Sequence, residues 1–335
     1  MSPTDLRELP RRLHQWAAGA WSATRSSFAR ASNRFASDNA DLESVVDRAA
    51  APLSPLERAR FGSTVLLLLG STLLAFAAYV VVISPVTHAR DQHILQEELR
   101  FELANSTSPV SQTGADGELL PLGTPIALLE IPTIDLRTAV VEGTTSYTLQ
   151  SAPGHRRDTV MPGQQGASVI FGRQAAFGGP FANLGQLSEG DRIEVTTGQG
   201  TSTYRVVGVR VGQEELPDRP AADGTLTLVT ATGLPFFAMD TLRVDAVLIG
   251  DAFEAGARAF TYAALPDDEL AMASQSGGAA ELALYSLILL AAVALVPFVR
   301  RYWGRWQAWV VASPLLAALA FLLFREASAL LPNLT

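Results

Sequence analysis

Thr225-Leu226-Thr227-Leu228-Val229-Thr230-Ala231 sets threonine and aliphatic side chains in alternation. Successive side chains of an extended strand point to opposite faces of a sheet, so this stretch reads as a half-buried strand. Runs of the same kind lie on either side of it. Ile126–Pro132, Thr138–Glu142, Ala167–Gly172, Asp191–Thr196 and Ser202–Val211 precede it, and Leu242–Ile249 follows. Clusters of turn-forming residues separate them. Many short strands with little helix between them predict a mainly β domain, either a closed barrel or a sandwich.

The chain has 335 residues, 48% hydrophobic and 17% charged, and its mean hydropathy is +0.20. That value is high for a soluble protein and calls for membrane segments. The formal net charge is −8, and all 25 basic residues are arginine. An acidic chain gives no reason to expect nucleic-acid binding. Cysteine is absent, so these residues offer no disulfide, no thiolate nucleophile and no thiolate metal site. The glycines between Gly163 and Gly179 are not followed by Lys-Ser/Thr, and no Gly-x-Ser-x-Gly elbow occurs. No cofactor and no metal are expected.

Residues 1–61 form an Arg-bearing segment in which Leu6, Leu9, Leu13, Trp16 and Ala20 recur at helical spacing. It reads either as a cytoplasmic surface helix on an anionic leaflet or as a disordered tail. Residues 63–84 carry no charge, and a run of that length crosses the ~30 Å hydrocarbon core. Residues 85–123 read as a short helical stalk and a Ser/Thr/Gly-rich linker, 124–250 as the β domain, and 251–280 as a second linker. Two further apolar spans follow at 281–299 and 307–324, with Arg300, Arg301 and Arg305 between them. Arginine before the first span and between the other two predicts a cytoplasmic N-terminus, three spans and an extracytoplasmic β domain. The lipid bilayer is therefore an expected partner.

Thr227-Leu228-Val229-Thr230 resembles the segment that leads into the catalytic cysteine of the sortases, membrane-anchored cysteine transpeptidases of Gram-positive bacteria. Two other stretches carry the same resemblance. Pro162–Gln174 with Phe177-Gly178-Gly179-Pro180-Phe181 is similar to the segment bearing the sortase histidine, and Thr241–Leu248 is similar to the last sortase strand. The resemblance implies an eight-stranded β-barrel, here flanked by one N-terminal and two C-terminal transmembrane helices. It also sets Arg173 at the histidine position, Ala231 at the cysteine position and Thr241 at the arginine position.

Acyl transfer needs a nucleophile, a general acid/base and positive charge where the oxyanion forms. Ala231 has no nucleophile, the Arg173 guanidinium stays charged near neutral pH, and Thr241 carries no charge. Thr230 and Thr232 point away from the face of Ala231. His155, in a Pro-Gly-His turn, reads first as a structural histidine. Arg173, Arg243 and His155 remain as candidate ligand-binding residues. The two arginines form either a cationic groove for a carboxylate or structural pairs with acids such as Asp245 or Glu130.

The function expected first is a catalytically inactive, extracytoplasmic binding or assembly module. Its partners would be secreted or envelope proteins, or an active sortase. The alternatives are a structural membrane-complex subunit with the barrel as spacer, and a divergent peptidase or transpeptidase with a non-cysteine nucleophile.

Overall fold

The computed structural model describes residues 55–114, 116–215, 222–256, 259–274, 278–303 and 305–335. The expected Arg-bearing tail lies, up to residue 54, outside the described residues, as do the side chains of the Arg-rich turn at 301–305. The chain divides into two compact units, Met1–Ser71 and Thr72–Thr335. Of the first, the described part is the opening of helix α1 (Pro55–Ala78).

The second unit is built on eight strands. They are β1 (Pro125–Ile131), β2 (Leu136–Glu142), β3 (Gly154–His155), β4 (Gly166–Phe171), β5 (Arg192–Thr197), β6 (Gly200–Val211), β7 (Gly224–Leu234) and β8 (Phe237–Ile249). Of the two arrangements that the pattern allowed, the closed barrel is the one observed, in the order β1-β2-β3-β4-β7-β8-β6-β5. β5 pairs back onto β1, and the β2–β3 and β4–β7 pairs are parallel.

Strand β7 shows why the alternation matters. Leu226 and Leu228 point into the barrel, where they join Ile126, Leu129, Ile170 and Val244. Val229 and Ala231 pack on the other face with Phe171. Each fully buried Leu or Ile contributes about 1.5–3 kcal/mol, so a one-residue slip of this register is strongly disfavoured. β3 has only two residues and shows no period in the sequence. It requires Gly154, because a Cβ there would run into the carbonyl of Gly143.

Three helical stretches are long and apolar enough to cross a membrane: Leu69–Asn105, Ala279–Arg300 and Trp306–Ala329. The first runs from α1 through a π-helical turn, Tyr79–Ile83, into α2 (Ser84–Asn105). Pro85 has no N–H to continue the ladder, and the Ser84 N–H instead reaches the carbonyl of Tyr79. A single helical turn, α3 (Thr148–Ser151), follows β2. The other two stretches lie in α4 (Ala279–Trp303) and α5 (Arg305–Ala329).

Two segments expected to act as spacers instead line the barrel. In the 85–123 stretch, Leu99 of α2 is buried. Gln92 accepts from the Ala139 N–H at 2.8 Å and donates to the carbonyls of Ala139 and Ser151. Gln112 likewise donates to the carbonyl of Arg157 and accepts from the N–H of Phe260. In the 251–280 stretch, Glu269 is fully buried in a two-bond ion pair with Arg157. A carboxylate is buried only where such a partner meets it, so this segment is fastened to the barrel.

Candidate functional site

The site grows from the point where β4 and β7 end side by side. Phe171 is the register partner of Val229, and the Gly172 N–H donates to the Val229 carbonyl at 2.9 Å. Residues 173 and 231 therefore lie next to each other, two positions further on. On the other side of β7, Ala231 faces Thr241 of β8. Thr241 is thus the cross-strand partner of Ala231, and Leu149, which packs in the cluster of Ala231 and accepts from Arg173 through its carbonyl, joins positions 173 and 231 in one cleft.

That cleft is filled by the segment after α5, Leu331-Pro332-Asn333-Leu334-Thr335. Leu334 is fully buried and packs against Leu149, Phe171, Val229 and Ala231. Its carbonyl accepts from the Gln174 N–H at 2.8 Å, and Ser146 Oγ donates to the Leu331 carbonyl at 3.3 Å. Asn333 is held on three sides. Its N–H donates to the Ala273 carbonyl, and its Nδ2 donates to the carbonyls of Thr144 (2.9 Å) and Leu270 (2.8 Å).

Arg173 is fully buried, and backbone oxygens and the Ser146 hydroxyl surround its guanidinium. Nε donates to the Leu149 carbonyl at 3.1 Å, one terminal nitrogen to the backbone oxygen of Thr335 at 3.2 Å, and the other to the carbonyl and hydroxyl of Ser146, each at 2.8 Å. The guanidinium carbon lies 5.2 Å from the centroid of the Phe177 ring. No Asp or Glu side chain pairs with it among the described residues. Burial pulls its pKa down to about 9, which leaves it a cation at neutral pH and a poor proton carrier there.

The remaining candidates stand apart from this arrangement. Arg243 starts on the same face, opposite Val229, but its guanidinium donates to the carbonyl of Gly212. The pairs expected for it belong to others: Asp245 is held by Arg210, and Glu130 by Arg137. Arg210 lies directly across from Arg243 in the neighbouring strand and reaches the carboxylate first.

His155 is fully buried. Nδ1 is 2.9 Å from Glu142 Oε2, and Nε2 is 2.9 Å from the Val160 carbonyl and 3.0 Å from Thr159 Oγ1. Burial works against its charged form, but the Glu142 carboxylate and the hydrogen bonds outweigh it, and the pKa is raised. Thr230 is buried on the opposite face from Ala231, and its hydroxyl has no hydrogen-bond partner.

Residues 129–245 match the family model for the Sortase domain. The barrel is a sortase-family domain. Sortase D of Bacillus subtilis (strain 168) is 31% identical over 84 residues, 25% of this chain and 41% of the relative. This chain thus spans 41% of the length of that curated relative.

Among solved structures, the Clostridium perfringens Sortase D5 transpeptidase is 25% identical, with a TM-score of 0.37 over 49% of this chain and 99% of that one. Sortase E from Streptomyces avermitilis is also 25% identical, with a TM-score of 0.34 over 39% of this chain and 91% of that one. Sortase A from Corynebacterium diphtheriae is 24% identical, with a TM-score of 0.34 over 53% and 93%.

The sortase resemblance located positions 173, 231 and 241, but it gave no sign of Ser146, Leu149, Gln174 or the 331–335 segment. These hold one another through backbone carbonyls and N–H groups, which every residue type possesses. Asn333 was the only visible cue, a polar residue between Pro332 and Leu334, and by itself it reads as an ordinary turn residue.

Proposed function

We propose that this chain is a membrane-anchored sortase-family protein whose barrel works without acyl transfer, as a binding or assembly module for cell-envelope proteins. The observation that carries this reading is the burial of Ala231 in one apolar cluster with Leu334. The position aligned with the nucleophile bears only a methyl group, and the chain's own segment covers it. Arg173 adds support, since a guanidinium satisfied by carbonyls cannot relay protons between a thiol and a leaving amine. A replacement nucleophile finds little support here. The Thr230 hydroxyl has no base within hydrogen-bond reach, and both nitrogens of His155 are engaged.

In this reading the N-terminal segment is cytoplasmic and the barrel faces outward. The excess of arginine before the first span and between α4 and α5 supports that orientation. Full-length protein in detergent micelles, given sorting-signal peptides and an amine acceptor, is expected to yield neither transpeptidation nor hydrolysis. Turnover abolished by one substitution in the barrel would overturn the proposal.

A further inference from the structure

Past the cleft, β7 and β8 run on as a hairpin whose residues from Ala231 to Met239 include no charged side chain. Leu234 is 70% exposed, Phe237 73% and Met239 84%. Leu234 and Phe237 are register partners, so Pro235-Phe236 forms the turn. Phe236 has φ +66°, a left-handed conformation that glycine adopts freely and a bulky residue adopts at a cost. A phenylalanine in such a turn accepts backbone strain at a position where its ring is partly exposed.

The hairpin's position follows from the barrel topology. β7 is parallel to β4, and β4 leads directly into the Gly172–Phe181 loop. Ala176 and Phe177 of that loop pack with Tyr79 and Val80, and with the rings of Phe76 and Phe324, on the spanning helices. The Phe177 N–H donates to Ser84 Oγ at 3.0 Å. β7 therefore heads toward the ends of the spans. It continues from Val229, the partner of Phe171, to Leu234, about 16 Å further at the rise of a strand. Gln174 Nε2 donates to the Gly233 carbonyl at 3.1 Å, which ties the hairpin base to the same loop.

We propose that the Leu234–Met239 tip enters the interfacial layer of the bilayer, so that the partner of this surface is lipid. A protein partner covers one face of a hairpin. Here apolar side chains project from both faces and from the turn, an arrangement suited to a fluid interface that closes around all of them. The first charge after the tip, Asp240, lies back toward the barrel. This inference goes beyond the binding function proposed above and holds whether or not the barrel binds envelope proteins.

The absence of cysteine makes the test direct. Phe237→Cys and Met239→Cys, each carrying a nitroxide, are compared with Thr201→Cys in full-length protein in phosphatidylcholine/phosphatidylglycerol nanodiscs. Thr201 is exposed at the start of β6, on the opposite rim. At 237 and 239, collisions with oxygen are expected to exceed those with a water-soluble nickel chelate, and at 201 the ratio should invert. Nickel access at the tip equal to that at 201 would place the hairpin in water and end the proposal. Exclusion of both reagents at the tip would place it against protein, with the same consequence. Two label sites, each checked by thermal unfolding, keep the outcome independent of one poorly folded variant.

Discussion

Arg173 is a buried cation held by backbone oxygens and the Ser146 hydroxyl, and this shapes what its removal does. Arg173→Met is close in length but leaves the oxygens of Ser146, Leu149 and Thr335 without their donor. Each buried orphan costs about 1–3 kcal/mol, and the 331–335 segment is the partner freest to leave. Thermal unfolding of the full chain in detergent should show a lower midpoint, and the Asn333 and Gln174 amides should exchange hydrogen faster. Protection unchanged at both amides would mean that Leu334 and Asn333 hold the segment without the arginine.

His155 behaves differently, because its charge has a carboxylate partner. Its pKa is raised in the fold, so the stabilisation it gives is complete below the unfolded value of about 6.5 and is lost as pH rises through the folded value. His155→Gln should accordingly lower stability more at about pH 5 than at about pH 9. Urea midpoints of the two proteins across that range measure the difference. An equal gap at both ends would mean that the imidazole is neutral throughout.

At the scale of the element, the cleft is a sheet surface closed by a turn-forming segment from far along the same chain. Ala231 of β7 and Thr241 of β8 form its floor, and Leu334 its lid. A thiol placed at the floor reports on the lid. Ala231→Cys should react slowly with maleimide in the full chain, and at least about tenfold faster when Asn333→Ala removes the bonds to Thr144 and Leu270, because reaction then follows local opening. Rapid labelling in the single variant would show that the segment does not cover position 231. Asn333 Oδ1 is buried without a partner, a defect that favours opening over a fully satisfied plug.

What sequence reveals about these elements follows from their surroundings. Strands such as Thr225–Ala231 are legible because one face meets the core and the other does not. β3 is too short to show a period, and the β7–β8 extension breaks the pattern because both of its faces are exposed. Gln92 and Gln112 read as ordinary polar residues of a stalk and a linker, although each satisfies backbone groups of the barrel.

Over the whole molecule, the apolar runs within α1, α4 and α5 were visible because each is a long stretch with little or no charge, the pattern that a helix able to cross a membrane requires. Charge distribution is the only indication of orientation in the sequence. Contacts across large separations left no such mark. Arg173 and Thr335 lie 162 positions apart, and nothing in either neighbourhood announces the other.

That separation bears on the order of assembly. The eight strands are complete once residue 249 has been made, yet the groove on their surface stays open until residues 331–335, which follow α4 and α5, have been made and pack onto it. A nascent or truncated chain lacking those residues exposes an apolar furrow with a half-satisfied guanidinium at its end, the kind of surface that chaperones and proteases recognise. Completion of the groove is thereby tied to the folding of α4 and α5, the helices that precede residues 331–335.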